Sequence, residues 1–208
     1  PVTIPTVSAI KKYLPFYQAQ AGSYLDTNNP VTLGHLVTPQ HYQKQRQELH
    51  QALTSSLITI QNEYKKYHKL VRPTKINKHN NGWYEYYGPT KPQTILIALG
   101  SVAGTIKQTL DDLPQQKVGL LKLKILRPFP SQQILGIIKL AKNVAIIEKA
   151  ISLGYGGPLA TEIKAKLPKK INCSSYITGL GGKDITTVNI KKIIKNANNT
   201  NNQTTKFI

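Results

Sequence analysis

From residue 93 onward, apolar runs alternate with helical patterns at short intervals, and that alternation leaves few folds open to this chain. TILIALGS is an unbroken apolar run through Gly100, and VAGTIKQTLDDLP behind it turns Leu110 and Leu113 to one side. VGLLKLKIL carries apolar residues at every second position, and PSQQILGIIKLA then opens as a helix on Pro130 and Ser131. NVAIIEKA with GGPLATEIKAKL, and SSYITGL with TTVNIKKIIKNA, repeat the pair twice more. Strands joined by helices across short connections run parallel, and both faces of such a sheet need cover. The chain therefore reads as α/β, a doubly wound sheet over 93–197 with strands near 94–99, 118–126, 143–148 and 174–179.

Upstream stands one long helix. Thr38 suits an N-cap, Pro39 the first helical position, and no Pro or Gly interrupts before Pro73. Tyr42, Leu49, Leu53, Leu57, Ile60, Tyr64, Tyr67 and Leu70 recur at threes, fours and sevens, which makes one apolar stripe. Gln45, Glu48, Gln51, Gln61 and Lys65 lie on the wet side. A helix over 38–72 is about 50 Å long at its ordinary rise, more than a small domain needs, so it is expected to bridge domains or subunits. A free coiled-coil strand fits less well, because the flanks are rich in Gln rather than charged. Residues 1–37 read as an irregular arm lying over another domain. Residues 73–92 read as a linker with an edge strand at Trp83–Tyr87, and 198–208 as a polar, disordered tail.

Composition narrows the function. One cysteine, Cys173, excludes an intrachain disulfide and any iron–sulfur cluster held by this chain alone. Its apolar strand setting suits a small buried hydrophobe rather than a nucleophile. No apolar run approaches the roughly 20 residues that span a bilayer, and no signal peptide opens the chain, so the cytoplasm is expected. The absence of Met and the start on Pro1 suggest the middle of something larger. The net charge of +19 invites nucleic acid, yet the lysines are scattered, from Lys11 and Lys12 to Lys191 and Lys192, and form no arm or known module. Drift under AT-biased coding is the preferred explanation, contact with an acidic partner the next, and nucleic acid the last.

Three glycine turns invite comparison with phosphate loops. LGSVAGT (99–105) lacks both the dinucleotide spacing and a Walker lysine, so Gly100 is expected to permit a tight turn and Ser101 to cap the helix. SLGYGGP (152–158) and GLGGKD (179–184) follow strands, at the edge where open α/β sheets bind ligands or partners. His35, His41, His50, His68 and His79 show no metal-ligand spacing. Glu148 ends a buried strand as a catalytic acid would, although an ion pair with Lys149 is the simpler expectation. No catalytic, cofactor-binding or metal-binding residue is assigned.

The order of the pieces is more specific than any one of them. NPVTLGHLVTPQHYQKQ (29–45), ILIALGSVAGTIKQTLDDL (95–113), VGLLKLKILRPFP (118–130), VAIIEKAISLGYGGPLATEIKAKL (144–167) and ITGLGGKDIT (177–186) resemble successive signatures of the alpha subunit of pyruvate-ferredoxin oxidoreductase. The resemblance implies that 1–37 end a thiamine-pyrimidine domain. It also implies that 93–197 form a five-stranded three-layer αβα sheet similar to the transketolase C-terminal domain. Thiamine diphosphate, magnesium and iron–sulfur clusters would belong to the complete complex, with none bound by this chain. The partners implied are the pyrimidine domain, a beta subunit and a ferredoxin-like subunit, with ferredoxin and CoA as substrates, and neither nucleic acid nor membrane. Arg127-Pro128-Phe129 matches the family's turn and is taken as packing. Glu148-Lys149 stands where the family often has Asp-Arg, which loses the bidentate fork of Arg. Pyruvate is favoured over 2-oxoglutarate or 2-oxoisovalerate on the LRPFP and SLGYGGP blocks. The rival enzyme reading is a transketolase or dehydrogenase E1-beta C-terminal domain, and the rival outside enzymes is a basic nucleic-acid-binding module.

Overall fold

A computed structural model of the chain describes residues 4–20, 22–32, 34, 36–71, 79–199 and 205–208. It divides into two compact units, Pro1–Ile76 and Asn77–Ile208.

The first unit holds helices α1 (Val7–Tyr13) and α2 (Pro39–Leu70). Thr38 precedes α2 but its hydroxyl meets His41 Nδ1 at 3.0 Å instead of capping a backbone amide. Three consecutive hydroxyls fall mid-helix, where such residues compete with the backbone. Thr54, Ser55 and Ser56 donate back to the carbonyls of His50, Gln51 and Leu53, and the helix runs on. The apolar stripe splits in two. Leu57, Ile60, Tyr64 and Tyr67 are half-buried, with the Tyr13 ring of α1 edge-on to Tyr67 at 5.4 Å. Tyr42, Leu49 and Leu53 remain 55%, 54% and 42% exposed.

The second unit is a six-stranded sheet in the order β1-β3-β2-β4-β5-β6. The strands are β1 (Tyr84–Tyr87), β2 (Thr94–Leu99), β3 (Val118–Leu123), β4 (Asn143–Glu148), β5 (Asn172–Ile177) and β6 (Thr205–Phe207). β1 runs antiparallel to β3 and all other pairs are parallel. Helices α3 (Val102–Asp111) and α6 (Thr187–Asn199) cover one face, α4 (Ser131–Ile138) and α5 (Pro158–Lys164) the other. The result is a three-layer αβα domain with two separate cores. Ile95, Ile97, Ile146 and Leu121 pack under α4 and α5, while Leu96, Ala98, Leu120 and Ile147 pack under α3 and α6. β2 and β4 lie inside the sheet, so both of their faces are buried and the stretches Ile95–Leu99 and Val144–Ile147 are apolar throughout. β3 alternates toward its carboxyl end, where Lys122, and Lys124 just past the strand, are half-buried.

The tail departs from expectation. α6 continues to Asn199, and Thr205–Phe207 form β6 against Ser175–Ile177 of β5 rather than a disordered end. Ile208 N–H donates to Ile177 O at 3.0 Å, and Thr178 Oγ1 donates to Ile208 O at 2.9 Å. The polar composition of the tail as a whole hides four terminal residues, Thr-Lys-Phe-Ile, that suit a strand, and the free edge of β5 supplies what they pair with. The expected linker strand is β1, a hydrogen-bonded member of the sheet. Residues 73–78 of that linker, and residue 72 at the expected end of the long helix, lie outside the described residues.

Candidate functional site: the carboxyl edge of the sheet

The chain leaves β2 for β3 on one side and then crosses to β4 on the other, so strand order reverses at the β2/β4 boundary. Open α/β sheets place ligands outside the carboxyl ends of strands at such a reversal. Three connections gather there: Gly100-Ser101 before α3, the 149–157 loop before α5, and the 178–186 loop before α6.

Gly100 has φ +85°, which lets β2 turn directly into α3. Ser101 is itself helical in conformation and its hydroxyl makes no capping bond, contrary to the sequence expectation. A side chain caps a helix from extended backbone, and Ser101 has already left it.

Glu148 is the organised group of this edge. It is 8% exposed and its carboxylate accepts from Leu159 N at 2.9 Å and Ala160 N at 3.1 Å. The start of α5, Gly157-Pro158, has no side chain able to cap it, so the last residue of the neighbouring strand does so. Burial raises the Glu148 pKa, opposed by the two amides and by the Lys164 charge. Gly157 is required by this arrangement, because a Cβ there would lie 1.6 Å from Glu148 Oε1. The expected Glu148–Lys149 ion pair does not form. Successive residues of a strand face opposite sides of the sheet, so Glu148 turns inward to α5 while Lys149 is exposed.

Around this anchor the edge is built for contact. Residues 152–156 form a closed turn, with Ser152 N donating to Gly156 O at 2.8 Å and Tyr155 N to Ser152 O at 3.0 Å. The turn holds Leu153 and Tyr155 in solvent, 88% and 77% exposed. Tyr155, Gly157, Thr161, Lys164 and Thr205 border a hollow of about 310 Å³. A second hollow of about 230 Å³ is bordered by Thr178, Leu180, Lys183, Phe207 and Ile208. Arg127 links the β3–α4 loop to α5 through Glu162 at 3.1 Å, and Pro128 and Phe129 pack inward.

The residues singled out from sequence are not brought together as a reactive set. Cys173 lies under α4 and α5, and burial pushes its thiol up to about 11. His41 and His50 are exposed on α2, His68 is buried near its end, and His79 precedes β1 in the other unit. His35 lies outside the described residues. Among the described residues, no group of three or more His, Cys, Asp or Glu gathers. Sequence reading passed over Lys124, at the carboxyl end of β3. Its ammonium donates to Asn80 Oδ1 at 2.6 Å and Asn81 O at 2.9 Å, and burial lowers its pKa to about 8. The signal was the Leu-Lys-Leu-Lys alternation, which puts Lys122 and Lys124 on one face. Its bonds latch the 80–81 segment to the sheet.

Residues 93–190 match the family model for pyruvate:ferredoxin oxidoreductase core domain II. The chain belongs to the pyruvate:ferredoxin oxidoreductase family. It is 34% identical to the pyruvate synthase subunit PorA of Methanocaldococcus jannaschii, over 100% of this chain and 53% of that one. It is 30% identical to the ketoisovalerate oxidoreductase subunit VorA of Pyrococcus horikoshii, over 81% of this chain and 43% of that one. Among solved structures, the 2-oxoglutarate:ferredoxin oxidoreductase of Magnetococcus marinus aligns over 76% of this chain and 23% of its own. Its TM-score is 0.48 at 19% identity. The chain thus spans about half the length of the curated relatives it matches. Domain II begins within the sheet at β2, so β1 is a strand added to it on the far side of β3.

Proposed function

We propose that this chain is the domain II half of the alpha subunit of a thiamine diphosphate-dependent pyruvate:ferredoxin oxidoreductase, and that its role there is structural. The complete complex would convert pyruvate, CoA and oxidised ferredoxin to acetyl-CoA, carbon dioxide and reduced ferredoxin in the cytoplasm. The likeness to pyruvate synthase subunit PorA along the whole chain carries this reading. The carboxyl edge supports an assembly role, since its one buried carboxylate is spent capping a helix and its loops hold apolar side chains in solvent.

The residues present do not fit the cofactors of such a complex. A single cysteine is far short of a cluster's thiolates, and the described residues gather no carboxylate or imidazole set for magnesium. In this reading those groups are held by the other subunits and by the alpha subunit's pyrimidine domain, the partners that the family resemblance implies for this chain.

The first unit supplies the surface for the pyrimidine domain. Phe16, Leu25 and Leu36 are 92%, 82% and 101% exposed, and Tyr42, Leu49 and Leu53 of the α2 stripe are exposed in part. Apolar area on this scale marks an interaction surface. The test joins this chain to a PorA-type pyrimidine domain and mixes it anaerobically with beta and ferredoxin-like subunits. Pyruvate-dependent ferredoxin reduction is expected, and it should be lost with the assembled complex in the Leu49→Asp, Leu53→Asp double variant. Saturable thiamine diphosphate binding by residues 1–208 alone, seen by calorimetry, would refute the structural role. The VorA likeness favours a second reading in which the substrate is a branched 2-oxoacid. Turnover of ketoisovalerate in preference to pyruvate by the same assembly would select it.

A further inference from the structure

Lysines that are scattered in sequence are gathered by the topology. The β1–β2 connection and the helix-to-strand connections α3–β3, α4–β4 and α5–β5 reach the sheet at its amino edge, opposite the site described above. Lys91 precedes β2, Lys117 precedes β3, Lys139 and Lys142 precede β4, and Lys166, Lys169 and Lys170 precede β5. All seven are exposed, and none forms an ion pair among the described residues. Because β3, β2, β4 and β5 are consecutive neighbours, these loops lie side by side at strand spacing, a row about 14 Å wide.

Backbone bonds hold the row in place. Gln93 N donates to Lys117 O at 2.7 Å, Lys142 N to Gln93 O at 3.0 Å, and Asn172 N to Lys142 O at 3.0 Å. The charges thus stand on one stitched frame. At the carboxyl edge, by contrast, Lys124 is engaged by Asn80 and Asn81, and Arg127 is paired with Glu162. Lys149 and Lys183 are exposed there, and Lys164 borders the hollow beside Gly157. Random drift toward lysine has no reason to favour one edge. Helix C-termini attract cations, but that accounts only for Lys139 and Lys166, which follow α4 and α5 within two residues.

We propose that the amino edge of this sheet is a docking surface for an acidic polypeptide surface, held by charge and released readily. Several observations favour carboxylates over the phosphates of nucleic acid. The row contains no arginine, whose planar fork recognises phosphate. The helices that end at this edge bring their carbonyl ends, whereas phosphate sites use amide ends. Tyr87, the aromatic ring at the end of β1 beside this row, is already engaged, with Lys107 over its ring and its hydroxyl on Asp111. Asp111 and Asp112 flank the row, which a continuous phosphate chain would have to pass. Lysine is depleted from permanent interfaces and instead steers encounter, so the complex is one that forms fast and is weakened by salt.

The test uses the whole chain. A labelled poly-glutamate peptide is titrated against it, with amide shifts followed by NMR, and a DNA duplex and phosphatidylserine vesicles are run at the same ionic strength. Peptide-induced shifts should cluster at residues 91, 117, 139–142 and 166–170. The variant with Lys117→Gln, Lys142→Gln, Lys169→Gln and Lys170→Gln should bind on the order of tenfold more weakly, while the same four changed to Arg should bind as the parent does. Lys11→Gln, Lys12→Gln, Lys65→Gln and Lys192→Gln together remove the same charge elsewhere and should leave affinity within about twofold. Equal loss in the two Gln variants, or shifts dispersed over the chain, would overturn the proposal. So would tighter binding of the duplex or the vesicles at this edge than of the peptide.

Discussion

Replacing Gly157 by Ala tests the Glu148 cap against a general expectation of opposite sign. Gly157 has φ −73° and ψ 131°, a conformation any residue adopts, and Gly→Ala at such a position ordinarily stabilises by about 0.4–1 kcal/mol through the unfolded chain. Here the added methyl would lie 1.6 Å from Glu148 Oε1, 2.3 Å from its Cδ and 3.0 Å from Oε2. The carboxylate has to leave, and the amides of Leu159 and Ala160 lose their acceptor. Two charge-assisted bonds at about 1.5–3 kcal/mol each set an upper bound of roughly 3–6 kcal/mol. Water reaching the first turn of α5 and the backbone gain bring the expected loss to about 2–4 kcal/mol. The assay is urea unfolding followed by Trp83, the single tryptophan, which packs against the α4/α5 core and so reports the sheet domain. The midpoint should fall with the slope unchanged. Glu148→Ala alone should also destabilise, and adding Gly157→Ala to it should cost little more, because the methyl then occupies vacated space. That non-additivity should reach about 2 kcal/mol. A Gly157→Ala chain as stable as the parent, or additive losses in the double variant, would refute the cap.

Glu148 also ties stability to pH. Its folded pKa is raised above the usual carboxylate value, so the folded chain binds its proton more tightly than the unfolded chain does. Its contribution is fully present at low pH and declines as pH rises from the ordinary glutamate range to the raised value. Glu148→Gln should remove that decline from the urea midpoint measured across mildly acidic pH, and a slope unchanged by the substitution would contradict it. Cys173, with its thiol at about 11 and 8% exposed, should resist a thiol reagent at pH 8 until the chain is unfolded in urea. Modification of the native chain as fast as of the unfolded one would refute its burial. Ile146→Ala, at a fully buried position in the central strand β4, should cost about 2–5 kcal/mol by the same assay.

The elements that local pattern can specify were legible before the structure. Apolar runs through the middle of β2 and β4 marked them, because a strand covered on both faces keeps polar residues only at its ends, where Thr94, Asn143 and Glu148 find hydrogen-bond partners. The period of Leu49, Leu53, Leu57, Ile60 and Tyr64 marked α2, and Pro39 its start. What pairs across the chain was not legible. The sequence places Glu148 beside Lys149, and the pleat of the strand separates them and delivers Glu148 to α5. The terminal Thr-Lys-Phe-Ile belongs to a sheet only because β5 offers it an open edge. The lysines from Lys91 to Lys170 look dispersed along the chain until strand order brings their loops to one edge. Periodicity is a property of near neighbours and can be read from residue order. A cap donated by another strand, a strand recruited by an edge and a row of charges arise from contacts between distant residues, and only the tertiary fold creates those contacts.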